Sequence, residues 1–184
     1  MPGLDIVPIY FADREDMLHR LGALLEREFH ATVRYRNPWF DPEDSFDVSR
    51  GQYSSTRLLK LLLQDPHESA DRTLGVASVD LFTPVLTYVF GESQLGGRAA
   101  VVSLHRLRPE VYGLPPDESL LFARLHKEAV HELGHTHGLL HCSNLGCVMH
   151  STAYAEEIEL KSVGFCELCS MLLRQAMGGA RRAG

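Results

Sequence analysis

The stretch HELGHTHGLLHC, residues 131 to 142, constrains this 184-residue chain more than any other. It gathers four histidines, a glutamate and a cysteine into twelve positions. On an α-helix, His131 and His135 lie about 40° apart around the axis and one turn apart along it, so two imidazoles can aim at one ion. Glu132, one step round, can reach a water on that ion without binding the ion itself. A metal that carries out hydrolysis takes three protein ligands and keeps one position open. His141 is the expected third ligand, because Gly138 lets the chain leave the helix with a positive φ and double back. The spacing H-E-x-x-H-x-x-G-x-x-H is complete as His131, Glu132, His135, Gly138 and His141. It predicts a catalytic zinc that lowers the pKa of its water, with Glu132 taking the proton as that water attacks a carbonyl.

His137 falls two residues after His135, which turns it to the far side of the helix. It reads as solvated, or as a neighbour that touches the site without binding metal. His150 reads as structural. Met149, eight residues after His141, is placed to lie in a turn beneath the metal, where its apolar thioether would back the histidines.

The four cysteines all follow residue 141. Cys142 and Cys147 form one pair, Cys166 and Cys169 another, with 18 residues between them, a spacing close to that of four-cysteine zinc sites. Four thiolates close the coordination shell, so this second zinc is expected to be structural. The chain opens MPGLDIVPIYF, without a basic stretch and with Asp5 and Pro8 interrupting its apolar run, which reads as neither a secretory signal nor a membrane span. The expected compartment is the reducing cytoplasm, where clustered cysteines bind metal in preference to forming disulfides. His141 and Cys142 are adjacent, so the two metals are expected to share one loop.

A net charge of -6 disfavours nucleic acid, and 45% hydrophobic with 23% charged residues is the composition of a soluble globular domain. No membrane role is expected. The length suits one domain.

Periodicity predicts strands at DIVPIYF and ATVRYR around a helix over residues 14–29, with Asp13 as its N-cap. A turn-rich segment follows, then a helix from residue 56 capped by Ser54 or Ser55. TLGVASVDLF, LTYVFGE and RAAVVSL read as β-rich runs, with a loop over residues 91–97. RLRPEVYGLPPDES reads as a linking loop into the long helix, capped by Asp117 or Ser119. AEEIELKSVG reads as a short helix, CELCSMLLRQAM as a final one, and the last residues as a frayed tail. This order gives an α+β chain whose N-terminal part is α/β-like, built on a mixed sheet.

HELGHTHGLLHC, followed by Cys147, Met149, Cys166 and Cys169, resembles the archaemetzincin family of metzincin-type zinc peptidases, and YVFGESQLGGRAAVVSLHRLRPEVYG is similar to the segment before its motif. The resemblance implies a zincin-like fold. Residues 1–138 would form an upper part with the twisted sheet and the active-site helix, and residues 139–184 a small zinc-stapled lower part. It further implies two zincs per chain: His131, His135 and His141 on the catalytic ion, and Cys142, Cys147, Cys166 and Cys169 on the structural one. Glu132 would be the general base and Met149 the Met-turn residue. By analogy with metzincins, RAAVVSL is the expected edge strand that aligns substrate backbone. Tyr112 and Tyr154 match no oxyanion position and are assigned to ordinary packing.

The leading expectation is a monomeric zinc peptidase acting on a peptide or protein substrate. The alternative is a zinc-stabilised binding or scaffold protein whose histidine site has little activity. Glu132 favours the first, because a purely structural site has no use for a carboxylate there.

Overall fold

In a computed structural model of the chain, which describes residues 1–11, 14–67 and 70–179, β1 (Gly3–Ile9) and β2 (Thr32–Tyr35) run parallel and are joined by α1 (Glu15–Phe29). Parallel neighbours need such a crossover. β5 (Arg72–Ala77) extends the sheet on the other side of β1, followed by β9 (Ala99–Ser103) and then β8 (Gly91–Ser93), giving the order β2-β1-β5-β9-β8. The first four of these strands are parallel, and β8 closes the sheet as an antiparallel edge. A smaller sheet of β3 (Phe46–Asp47), β4 (Gln52–Ser54), β6 (Leu81–Thr83) and β7 (Leu86–Val89) runs in the order β3-β4-β6-β7.

The five-stranded sheet is covered on both faces, as its apolar alternation requires. Leu4, Ile6, Ala100 and Val102 face α1 and α3 (Glu118–Thr136). Their chain neighbours Val7, Ile9, Ala99 and Val101 face α2 (Ser55–Leu63), which offers Leu58, Leu59 and Leu62. Each valine, leucine or isoleucine among them, fully buried, contributes about 1.5–3 kcal/mol. Beyond α3 the chain forms α4 (Ala155–Leu160) and α5 (Glu167–Gly179). Leu139, Val148, Met149, Ile158 and Leu173 of this last part join the same core cluster as α1 and α3.

The expected caps are met where they can be seen. Ser54 Oγ accepts from Arg57 N at 3.3 Å, and Asp117 Oδ1 from Leu120 N at 2.9 Å. Asp13 lies outside the described residues, as do residues 180–184 of the tail. Arg14 stands before α1, makes no capping bond, and instead pairs with Glu118 at the start of α3 at 2.8 Å. No helix among the described residues is long and apolar enough to cross a membrane.

The structure corrects several expectations. RAAVVSL is an interior strand: β9 is hydrogen-bonded to β5 on one side and β8 on the other, and all five of its residues are buried. The edge is β8, taken from sequence as part of a glycine-rich loop. Gly91 belongs in that strand because a Cβ there would lie 2.7 Å from both Glu132 Cγ and Val101 O. TLGVASVDLF is split between two sheets, since Ser78 N bonds Ile9 O and the chain turns away before β6. The linking loop contains two 3-10 turns, His105–Leu107 and Pro109–Tyr112.

Candidate functional site

Eleven of the nineteen residues of α3 are buried, among them His131 and Glu132 in its last turns. The helix ends at Gly138, which has φ +87 and donates to His135 O at 2.8 Å, while Leu139 N bonds back to Gly134 O at 3.2 Å. The reversed chain then delivers His141. One ring nitrogen from each of His131, His135 and His141 lies within 4.8 Å of the other two, with His131 Nε2 and His135 Nε2 3.1 Å apart.

Two of the three imidazoles are oriented by backbone carbonyls. His131 Nδ1 donates to Val148 O at 2.8 Å, and His135 Nδ1 donates to Leu139 O at 2.7 Å. A carbonyl only accepts, so each Nδ1 carries the proton and each Nε2 keeps a lone pair for a cation. Burial, reinforced by the nearby Lys161 ammonium, pushes the His131 pKa well down; burial also lowers His135 and His141. Neutral imidazoles are the form that binds metal.

Glu132 does not join this donor set. Its carboxylate lies beside β8, where Oε2 accepts from Ser93 Oγ at 2.7 Å. Burial pushes the Glu132 carboxyl up to about 8, opposed by the Ser93 hydroxyl and assisted by the Glu128 charge. A carboxylate titrating in that range can both take and return a proton near neutrality. Met149 is fully buried under the same turn, and a Cβ added at Gly134 would meet its Sδ at 2.5 Å. The glycine is what admits the thioether so close to the helix.

His131 and His141 open onto a cavity of about 530 Å³ whose lining also includes Tyr88, Phe90, Glu128 and Tyr154. Tyr88 Oη donates to Ala153 O at 3.0 Å, joining the two walls. Tyr154, assigned from sequence to packing, therefore stands at the cavity, 63% exposed. Tyr112 is exposed and does not line this cavity, its hydroxyl donating to Arg106 O at 2.8 Å. His137 is outside the triad as expected, yet it is stacked on Phe29, with ring centroids 5.4 Å apart, rather than solvated. It lines a separate cavity of about 500 Å³ with Arg72 and Met177, which contains none of the triad.

The four cysteines converge from two directions. Cys142 and Cys147 come from the loop after His141, and Cys166 and Cys169 from the start of α5. All four are free thiols with Sγ atoms within 4.8 Å of one another; Cys142 and Cys166 are 3.7 Å apart. That separation fits the edge of a sulfur tetrahedron around zinc, roughly 3.8 Å for metal–sulfur bonds of about 2.3 Å. Asn144 N and Cys166 N point at Cys142 Sγ and Cys147 Sγ from 3.5 and 3.3 Å. A backbone N–H of Cys169 leads the contacts that bring Cys166 down to about 7, whereas burial pushes Cys147 and Cys169 up. Four sulfurs at this spacing suit a thiophilic cation.

Sequence reasoning missed Ser93, Glu128 and Lys161. Glu128, one turn before Glu132 and three residues before His131, carried a legible helical-face signal. Ser93 and Lys161 carried none, because each meets the site through a distant part of the chain.

The family model for peptidase family M54 matches residues 42–175. The archaemetzincin of Methanocaldococcus jannaschii is 44% identical over 128 residues, spanning 70% of this chain and 69% of that protein. The archaemetzincin of Haloquadratum walsbyi is 34% identical across 92% of this chain and 98% of its own length. Among solved structures, the archaemetzincin of Methanopyrus kandleri superposes with a TM-score of 0.85 at 34% identity, covering 96% of each chain. A zinc-dependent peptidase from Methanocorpusculum labreanum gives 0.79 at 27% identity, over 93% of this chain and all of the other. The fold is thus the mixed α+β fold of these proteins, and the chain belongs to peptidase family M54, the archaemetzincin family of metallopeptidases.

Proposed function

We propose that this chain is a zinc peptidase with two zinc sites, one catalytic and one structural. His131, His135 and His141 would hold the catalytic ion, and Cys142, Cys147, Cys166 and Cys169 the structural one. The observation that carries the reading is the difference between the two donor sets. Two of the three imidazoles, His131 and His141, line an open cavity, and Glu132, next to His131 in the chain, is not a donor, while the thiols form a closed group of four.

When bound, zinc at the histidines supplies a Lewis acid that lowers the pKa of a water and polarises a carbonyl. Everything else falls to the chain. Glu132 takes the proton from the attacking water and passes it to the departing amine, so its carboxyl must be basic enough to accept and acidic enough to return it. Ser93 Oγ, donating to Oε2, orients the carboxylate for both transfers. Met149 supports the histidine turn from below through its contact with Gly134. Cys142, Cys147, Cys166 and Cys169 would, on holding an ion, fix the loop that follows His141. We also assign the chain to a reducing compartment, a reading supported by its four free thiols.

The test is cleavage of a peptide library by wild type beside Glu132→Ala, with metal content measured on both. The expected result is full metal loading in both proteins and cleavage by wild type alone. Equal metal with no cleavage by either protein would favour the scaffold alternative.

A further inference from the structure

α3 grips the last turn of α4 and the residue after it at three points. Arg124 pairs with Glu159 and also donates to Leu107 O at 2.9 Å; Lys127 Nζ donates to Ile158 O at 3.0 Å; and Glu128 Oε1 lies 2.9 Å from Lys161 Nζ. The last pair differs from the others in its burial, with the Lys161 and Glu128 side chains only 1% and 4% exposed. Two opposite charges so deeply placed cost several kcal/mol each to desolvate and are poor devices for stability alone.

Lys161 faces inward. Its ammonium also donates to His150 O at 3.2 Å, and the His150 ring donates through Nδ1 to Cys142 O at 2.9 Å. Cys142 N in turn bonds Met149 O at 2.9 Å. A continuous polar chain thus runs from Glu128 on the active-site helix, through Lys161 and His150, to the residue next to His141. His131 and His135 ride on α3, whereas His141 comes from this loop, so the relative placement of the third imidazole depends on what ties loop to helix. Unlike its two partners, the His141 ring donates to no backbone carbonyl among the described residues, and it is exposed.

We propose that Glu128 and Lys161 are a positioning pair that holds the His141 loop in register with α3 and thereby sets zinc affinity at the histidine site. This rests on the reading that His131, His135 and His141 bind zinc, but not on cleavage of any substrate. Groups that orient metal ligands from outside typically change affinity 10- to 100-fold when lost.

The experiment is competition for Zn²⁺ against chelators of graded affinity, together with Co²⁺ substitution of the full chain, in wild type, Lys161→Met, Glu128→Gln and the double variant. Thiolate charge-transfer absorption of bound Co²⁺ reports the cysteine site, and the weaker visible bands of Co²⁺ at nitrogen and oxygen ligands report the histidine site. Each single variant is expected to bind zinc at the histidine site about 10- to 100-fold more weakly, with the thiolate absorption retained. The double variant, which leaves no uncompensated buried charge, should recover its melting temperature but not its histidine-site affinity. Melting temperature and affinity recovering together in the double variant would overturn the proposal in favour of a purely structural pair. So would histidine-site affinity within twofold of wild type in both single variants. Absence of metal from the histidine site in wild type would instead overturn the parent reading.

Discussion

His141 and Cys142 share a peptide bond, yet the two centres they belong to are furnished in opposite ways. Around the histidines, backbone carbonyls accept from Nδ1 of His131 and His135, fixing the tautomer and leaving the metal-facing nitrogens free. Around the cysteines, backbone N–H groups point at sulfur instead. One centre borders an open cavity through His131 and His141, with the carboxylate of Glu132, one residue along the helix from His131, held by Ser93, and the other is closed between a loop and a helix. Neutral donors, a neighbouring base and open space suit an ion that exchanges ligands; four sulfurs suit one that never does.

The comparison can be broken first at the base. Glu132→Gln keeps the hydrogen-bonding shape but removes the proton acceptor, and kcat should fall by about 10²- to 10⁴-fold with zinc content unchanged. An effect on KM alone, in steady-state kinetics, would remove Glu132 from the chemistry. The next largest effect is expected at the closed centre. Cys166→Ser should cost on the order of 4 kcal/mol, the linkage energy of an ion present at about a thousand times its Kd. The melting temperature should fall by roughly 8–16 °C. Because Cys142 adjoins His141, the same variant should also lose occupancy at the histidine site, and intact histidine-site zinc in a folded Cys166→Ser protein would show the two centres to be independent.

Two smaller effects probe how the open centre is held. Gly134→Ala would force a methyl group into the space of Met149 Sδ, 2.5 Å from the new carbon, and should cost about 1–3 kcal/mol in denaturant unfolding. Gly134→Ala combined with Met149→Ala should recover part of that loss if the contact is its cause. Ser93→Ala removes one hydrogen bond to a carboxylate. It should lower kcat by about tenfold, equivalent to roughly 1.4 kcal/mol, with little change in KM, and Ser93→Thr should restore activity.

The two centres were also unequally supported by features outside the motif. The donors themselves were legible because their spacing is local: one helical turn, a turn at Gly138, and two short cysteine pairs. The packing faces of α1, α2 and α3 were legible for the same reason, through apolar residues recurring at helical period. The edge of the main sheet was not. Gly91 reads as a loop residue, and only the crowding of its Cβ position by Glu132 and Val101 O explains a glycine in a strand. RAAVVSL, with its uniform apolar content, fits a strand covered on both faces and paired on both sides, but periodicity alone does not say which neighbours flank it. Ser93, 39 residues from Glu132, and Lys161, in an ordinary polar stretch, acquire their meaning only when the sheet and the lower segment close on α3.

The account's central claim is that two ions of different character meet at adjacent residues, and metal counting by native mass spectrometry tests it most directly. Fully loaded wild type should carry two zincs, and a folded His135→Ala variant should carry one, still bound through thiolate. A fully loaded wild-type chain that carries no more than one zinc would contradict the account.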